Sequence, residues 1–188
     1  MKKVISMLLI FTLIVGLYGC GATSENNPSN KSSGLTISAL QKICKEADDD
    51  LVFKKTHTEN GYNFHYANNS SVTKIEYSGE ADEQENIKAI KIVNSEVETS
   101  KLKNTAELNK ILNKTSDDLT MNDLRVLYCF IGVANLREAF GADDSSLSVQ
   151  EVANLFAKSG STMSVGDWTI EAQVEGTGTV IISATYAW

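Results

Sequence analysis

Histidine chemistry, whether metal binding or general-base catalysis, would have to use His57 and His65, because the chain has two histidines. They flank Asn60-Gly61, a strong signal for a two-residue hairpin turn, since both positions of a type I′ turn need positive φ. With that turn, His57 faces Phe64 and His65 lies opposite Thr56. Alternate residues of a strand point to opposite faces, so the two imidazoles cannot ligate one ion. The sequence predicts no metal site and no cofactor.

Sulfur chemistry is limited to three cysteines, Cys20, Cys44 and Cys129. Cys44 and Cys129 belong to separate predicted helices, and an exported chain can keep a disulfide between two such residues. Cys44 also lies on the apolar stripe of its helix, where a small buried thiol fits. Neither residue belongs to a CxxC pair, and no histidine is obviously placed to activate either one. The alternatives are a Cys44–Cys129 disulfide, two buried thiols and, third, a reactive cysteine.

Carboxylates cluster in three places, at residues 48–50, 117–118 and 143–144. None continues into the ligand spacing of a calcium loop, and acidic residues before helices suit the positive end of the helix dipole. Residues 176–178 are a lone GxG within a hairpin, so they give no support for nucleotide binding. The motifs GxSxG and HExxH are absent from the sequence. We therefore name no catalytic residues and favour a protein without enzymatic activity, with an enzyme as the alternative.

The amino terminus has the pattern of an export signal. Two lysines precede an apolar stretch at residues 4–17, which is signal-peptide length and shorter than the roughly 20 residues of a membrane-spanning helix. Leu17-Tyr18-Gly19-Cys20 resembles the lipobox of bacterial lipoprotein precursors. This resemblance covers about twenty residues, and it implies lipid attachment to the sulfur of Cys20 with cleavage just before it. Residues 1–19 are then a signal peptide, and the protein is anchored on the extracytoplasmic face of a membrane.

The charge balance limits the possible partners. Lys and Arg number 17 against 24 Asp and Glu, a net charge of −7, which becomes −9 when Lys2 and Lys3 leave with the signal peptide. Such an acidic chain is a poor candidate for nucleic acid or for electrostatic binding to an anionic membrane surface. The lipid must therefore hold it at the membrane. Residues 20–34, rich in Ser and Asn with the only proline, predict a flexible linker.

Residues 35–188 are predicted to form one domain of ordinary size. Helical spacing and a Ser38/Gln41 capping box favour a helix over residues 38–48. The first hairpin follows, then strands at 72–77 and 87–93 separated by an exposed acidic loop at 78–86. Helices are predicted at 106–113 and 120–140. Another begins at the Ser148/Glu151 capping box and ends before Gly160.

The last twenty-one residues have the clearest pattern in the chain. Apolar and polar residues alternate from Trp168 to Glu175 and again from Thr179 to Trp188, with Gly176-Thr177-Gly178 between them. Strict alternation predicts an antiparallel hairpin with one covered face and one solvated face. Together with the predicted helices, it indicates an α+β fold with two layers, an antiparallel sheet and helices packed on one face.

The solvated face of this hairpin is the predicted partner-binding surface, with Ile181 as an apolar centre among residues that are easily desolvated when paired. Its six residues are Thr169, Glu171, Gln173, Ile181, Ser183 and Thr185. The favoured function is a non-enzymatic domain that binds another envelope protein. Two alternatives stay open: an envelope enzyme or accessory hydrolase subunit, and a lipoprotein that binds a small ligand. A deep pocket with convergent carboxylates would favour the enzyme, and a shallow sheet face would favour a protein partner.

Overall fold

The computed structural model describes residues 35–41, 52–67, 75–140, 147–176 and 178–187. Seven strands lie in these ranges: β1 (Val52–Thr58), β2 (Gly61–Ala67), β3 (Ile75–Ala81), β4 (Ile87–Asn94), β5 (Ser161–Val165), β6 (Trp168–Glu175) and β7 (Thr179–Tyr186). Four helices accompany them: α1 (Thr99–Leu102), α2 (Thr105–Leu112), α3 (Met121–Ala139) and α4 (Val149–Ala157). Residues 37–41 are also helical.

All seven strands belong to one antiparallel sheet with the order β1-β2-β3-β4-β7-β6-β5. The first four strands form one meander and the last three form another. The two meanders meet in the middle, where β4 pairs with β7 and Ile92 lies opposite Ile182. The predicted combination of an antiparallel sheet with helices is thus confirmed. Within the described ranges, the edge strands β1 and β5 each pair with one other strand.

The core contains one set of alternating strand residues together with the buried sides of the helices. In the central strands this set includes Ile90 and Ile92 of β4 and Ile182 and Ala184 of β7, none more than 5% exposed. Helix α3 contacts these strands, and a Cβ placed on Gly132 would lie 3.5 Å from Ile182 Cδ1. Helix α4 contacts β5 and β6 in the other meander. The sheet therefore buries its core side chains against α3 and α4.

The predicted register of the first hairpin is wrong by two residues. The turn is formed by Glu59 and Asn60, so His57 pairs with Tyr62 rather than with Phe64. Gly61 has a φ of 134° and is not needed in the turn. Instead it lies against the backbone of β3, where a Cβ would collide with the carbonyl oxygen of Ala81. The turn lies one residue earlier than predicted, because Gly61 is required for this close approach to β3.

The acidic segment at residues 78–86 was predicted to be a loop, and this prediction is wrong over its first half. Strand β3 continues to Ala81, because Gly79 and Ala81 occupy core positions of the strand while Glu80 lies on the exposed side. The remaining residues turn through Asp82, whose side chain accepts a hydrogen bond from the Asn86 backbone N–H at 2.8 Å. Outward polar residues do alternate with small inward residues in this segment, but its many charged residues led to the prediction of a loop.

The helices agree better with the sequence. Residues 106–113 and 120–140 were predicted as helices, and α2 and α3 occupy those places. Ser148 and Glu151 form the predicted capping box at the start of α4. The first helix begins differently, since Thr36 Oγ1, and not Ser38, accepts the Ala39 N–H at 3.2 Å. Strand β5 and helix α1 were not predicted. Most of the predicted 38–48 helix lies outside the described residues.

Candidate binding face

The strand residues that alternate with the core form a continuous surface across the sheet, here called the polar face. All its residues but Ile181 are exposed or half-buried. It includes Val52, Lys54, Thr56, Asn63, His65, Ala67, Glu76, Ser78, Glu80, Ala89, Lys91, Val93, Thr162, Ser164, Thr169, Glu171, Gln173, Ile181, Ser183 and Thr185. Hydroxyl and charged side chains predominate, so hydrogen-bonding groups of both kinds are accessible along the whole sheet.

The six residues predicted as a partner-binding surface lie together on this polar face. They form three directly opposed pairs across β6 and β7: Thr169 with Thr185, Glu171 with Ser183, and Gln173 with Ile181. The Gln173 amide donates to Glu171 Oε1 at 2.7 Å. Thr169 and Thr185 are exposed, whereas the middle pair is half-buried. The structure therefore brings the predicted residues together and leaves one end of the group most accessible.

The expected exposed centre at Ile181 is wrong. Ile181 lies on the predicted side of the sheet, but it is only 6% exposed. Strand β7 is an inner strand, so Ile181 is flanked by Val93 on β4 and by Gln173 on β6 in the same row. Opposed side chains in adjacent strands lie about 5 Å apart, and these neighbours shield it from water. Its apolar surface is therefore largely unavailable to a partner.

The histidines lie on opposite faces of the first hairpin, as predicted, because a slip of two residues preserves the alternation. His57 packs edge-on against Tyr62, with ring centroids 5.2 Å apart. On the polar face, His65 Nε2 lies 3.8 Å from Glu76 Oε2. In the described part of the chain, no group of three or more His, Cys, Asp or Glu side chains could hold a metal ion.

Helix α3 carries two ionisable side chains that burial keeps protonated. Cys129 is fully buried, and burial raises the pKa of its thiol far above the usual range. Burial likewise raises the pKa of Tyr128 to about 12. A nucleophilic thiol must be accessible and readily deprotonated, so Cys129 is unsuited to reactive chemistry. Cys44 and Cys20 lie outside the described residues, and a Cys44–Cys129 disulfide stays a prediction.

The most highly connected charged group is one that the sequence analysis missed. Asp123, in the first turn of α3, is 2% exposed and accepts hydrogen bonds from Lys114 Nζ at 2.7 Å and Lys101 Nζ at 3.4 Å. The hydroxyl and backbone N–H of Thr120 also donate to it, at 2.7 and 3.1 Å. Thr120-x-x-Asp123 has the spacing of a capping box, and this pattern could have identified the residue from the sequence. This cluster holds α3 against the preceding segments.

Two grooves formed by described residues are shallow, and neither of them contains a catalytic arrangement. One, of about 500 Å³, lies at the end of the sheet and is lined by Glu96, Glu98 and Glu175 among others. The other, of about 490 Å³, lies between α4 and β5. Within the described residues, no helix is both long enough and apolar enough to cross a membrane.

Comparison with known proteins adds no relative from which a function could be transferred. No protein-family model, no curated protein and no solved structure matches the chain.

Proposed function

We propose that this protein is a lipoprotein of the cell envelope, anchored through an acylated Cys20 on the extracytoplasmic face of a membrane, with a domain that binds another protein. The anchor is supported by the order of basic residues, apolar stretch and Leu17-Tyr18-Gly19-Cys20 at the amino terminus. The acidic composition supports a lipid, rather than surface charge, as the means of attachment.

In the proposed architecture the helices cover one face of the sheet and leave the polar face uncovered. The contacts of α3 with β4 and β7, and of α4 with β5 and β6, support this two-layer arrangement. The alternation of burial supports it as well, since Ile182 is fully buried while Lys91, on the other side of the sheet, is exposed. An antiparallel sheet can have one solvated face in this way.

The observation that carries the binding function is the extent of the polar face. Seven strands of five to eight residues, spaced about 4.8 Å apart with a rise of about 3.4 Å per residue, give on the order of 800 Å². A standard protein interface buries about 800 Å² on each partner, so this face and its rim are of suitable size. Its exposed hydroxyls, such as those of Thr169 and Thr185, can pair with a partner at little desolvation cost. The described grooves offer no comparable site for catalysis.

The lipid anchor predicts a complete loss of acylation in Cys20→Ala. The thiol is the proposed attachment atom, so metabolic labelling with a fatty-acid analogue should disappear, and the precursor should keep its signal peptide. Labelled protein is measured by gel fluorescence after capture. Cys44→Ala, which removes a different thiol, should label like the wild type. Undiminished labelling of Cys20→Ala would falsify the assignment.

The polar face predicts that Thr169→Lys with Thr185→Lys weakens partner binding without unfolding the domain. Both threonines are exposed, so the free energy of unfolding should change by less than about 1 kcal/mol. Envelope proteins bound to the detergent-solubilised full-length chain should be depleted in this variant when captured and quantified by mass spectrometry. Asn109→Lys with Ser116→Lys adds the same charge at exposed residues outside the sheet and should retain them. Equal recovery with both variants contradicts binding through this face.

A further inference from the structure

The groove between α4 and β5 has the shape of a site for one extended polypeptide strand. One wall is α4, which contributes Asn154 and Leu155, and the other is the start of β5, including Ser161 and Met163. Most of the lining residues are polar, and the two apolar side chains are Leu155, which is buried, and Met163, which is half-buried. Its volume of about 490 Å³ is within the range of ligand sites, about 300–1,000 Å³.

Among the described residues β5 pairs with β6 alone, so one set of its backbone groups faces this groove. The two-residue turn after Val165 makes Val165 and Trp168 the closing pair of the hairpin. Hydrogen-bonded pairs alternate along an antiparallel ladder, so Thr162 and Ser164 direct their N–H and C=O groups away from β6. These groups match the backbone of another strand.

The two edges of the sheet differ in how they resist such pairing. Strand β1 carries Lys54, Lys55 and His57, and charged residues are a common protection of exposed edges. Strand β5 has the sequence Ser-Thr-Met-Ser-Val, with no charge and no proline. Of the two edges, β5 is therefore the one that can accept an added strand.

The charges at the groove indicate what that strand should carry. Glu151 is already compensated, because it accepts hydrogen bonds from the Ser148 backbone and hydroxyl and lies 3.8 Å from Arg137. Lys158, at the end where α4 turns into β5, makes no salt bridge with any described residue. The groove thus has one basic side chain that forms no ion pair with a described residue, in a protein that is acidic overall.

We propose that this groove binds an extended peptide segment of another protein, which adds a strand to β5 and places an acidic side chain beside Lys158. Main-chain hydrogen bonds to Thr162 and Ser164 provide the binding, and a small apolar side chain occupies the space over Leu155 and Met163. This is strand addition to a sheet edge. It differs from binding through the polar face, although Thr162 belongs to both sites, because strand addition uses the backbone edge of β5 and not the side chains of that face.

The test uses acetylated, amidated hexapeptides of alternating Thr and Val, with Asp at each position in turn, labelled for fluorescence anisotropy against the full-length chain. The best binder should lose about tenfold in affinity with Thr162→Pro, since one hydrogen bond of about 1.5 kcal/mol is removed, and proline is tolerated at edges. Thr162→Val keeps the N–H and should bind normally. N-methylation of alternate probe amides should abolish binding. The Lys158→Glu variant should bind a probe that carries Lys more tightly than the same probe with Asp.

Several results would overturn this proposal. One is that no probe binds at millimolar concentration. A second is that N-methylated peptides bind as tightly as the unmethylated peptide. A third is that the Thr162→Pro and Thr162→Val proteins bind the peptide with equal affinity while both keep the circular dichroism spectrum of the wild type. Dimerisation that Thr162→Pro abolishes, measured by analytical ultracentrifugation, would assign the edge to a second copy of this chain instead.

Discussion

Replacing Asp123 by alanine is expected to lower the free energy of unfolding by about 2–4 kcal/mol. The substitution leaves Lys101 and Lys114 without their shared carboxylate and removes one half of the capping interaction with Thr120. Both lysines are about a quarter exposed and can regain some hydration, so the cost stays below that of a fully buried broken pair. Urea unfolding followed by circular dichroism at pH 7 measures the difference.

The same residue gives the stability a dependence on pH. Burial alone would raise the pKa of Asp123, but the hydrogen bonds from Lys114, Thr120 and Lys101 outweigh it and hold the pKa well below its usual range. A carboxyl with a lowered folded pKa stabilises fully above its unfolded pKa of about 3.9, and this stabilisation falls as the pH drops toward the folded pKa. We expect a loss of about 1.4 kcal/mol per pH unit below about pH 4 from this group.

Two comparisons isolate the role of Asp123. Asp117→Ala removes an exposed carboxylate from the turn before α3 and should change stability by no more than about 0.5 kcal/mol. Asp123→Asn keeps the shape of the side chain but not its charge. The difference in free energy of unfolding between this variant and the wild type should therefore be constant from pH 5 to 8 and become smaller in acid. If this difference in free energy of unfolding is the same at pH 3 and pH 7, the charge of Asp123 does not stabilise the fold as described.

The parts of the fold that the sequence predicted correctly are those whose signals are local and long. The β6–β7 hairpin has eight alternating residues in each strand, and a slip of one residue would expose a whole row of apolar side chains. Helix α4 has a complete capping box, Ser148 with Glu151, in which both hydrogen bonds form within four residues of the chain. Neither signal depends on distant residues, so both can be interpreted without the structure.

The errors occur where a distant strand decides the outcome. Asn60-Gly61 is a good turn sequence by itself, yet Gly61 is needed against the backbone of β3. Alternation along the strand correctly predicted which face of the sheet Ile181 lies on. Its burial, however, depends on Val93 of β4, which is a neighbour only in the folded sheet. The Asp123 cluster likewise depends on Lys101 and Lys114, which approach it from other segments. A pattern predicts the direction of a side chain, and tertiary packing determines its surroundings.

Gly79→Ala is expected to cost about 3 kcal/mol or more, at the upper end of the effects of overpacking. Gly79 lies directly opposite Phe64 in the β2–β3 pair. A Cβ at this position would be 2.6 Å from Phe64 Cζ and would also collide with the carbonyl oxygen of Ala89. Phe64 could move only by disturbing the core, where it is 3% exposed, and the carbonyl belongs to the backbone of β4, which cannot move without loss of strand pairing.

Gly132→Ala is the matched substitution with the opposite expected sign. Gly132 is inside α3, and its added Cβ would lie 3.5 Å from Ile182 Cδ1 and 3.9 Å from Ile92 Cδ1, which are ordinary contacts. Alanine favours a helix interior over glycine by about 0.5–1 kcal/mol, so this variant should be more stable than the wild type. Thermal and urea unfolding of both variants measure the contrast. A Gly79→Ala protein as stable as the wild type would show that β3 does not approach β4 and Phe64 as closely as described, and a destabilised Gly132→Ala would place α3 nearer to the sheet.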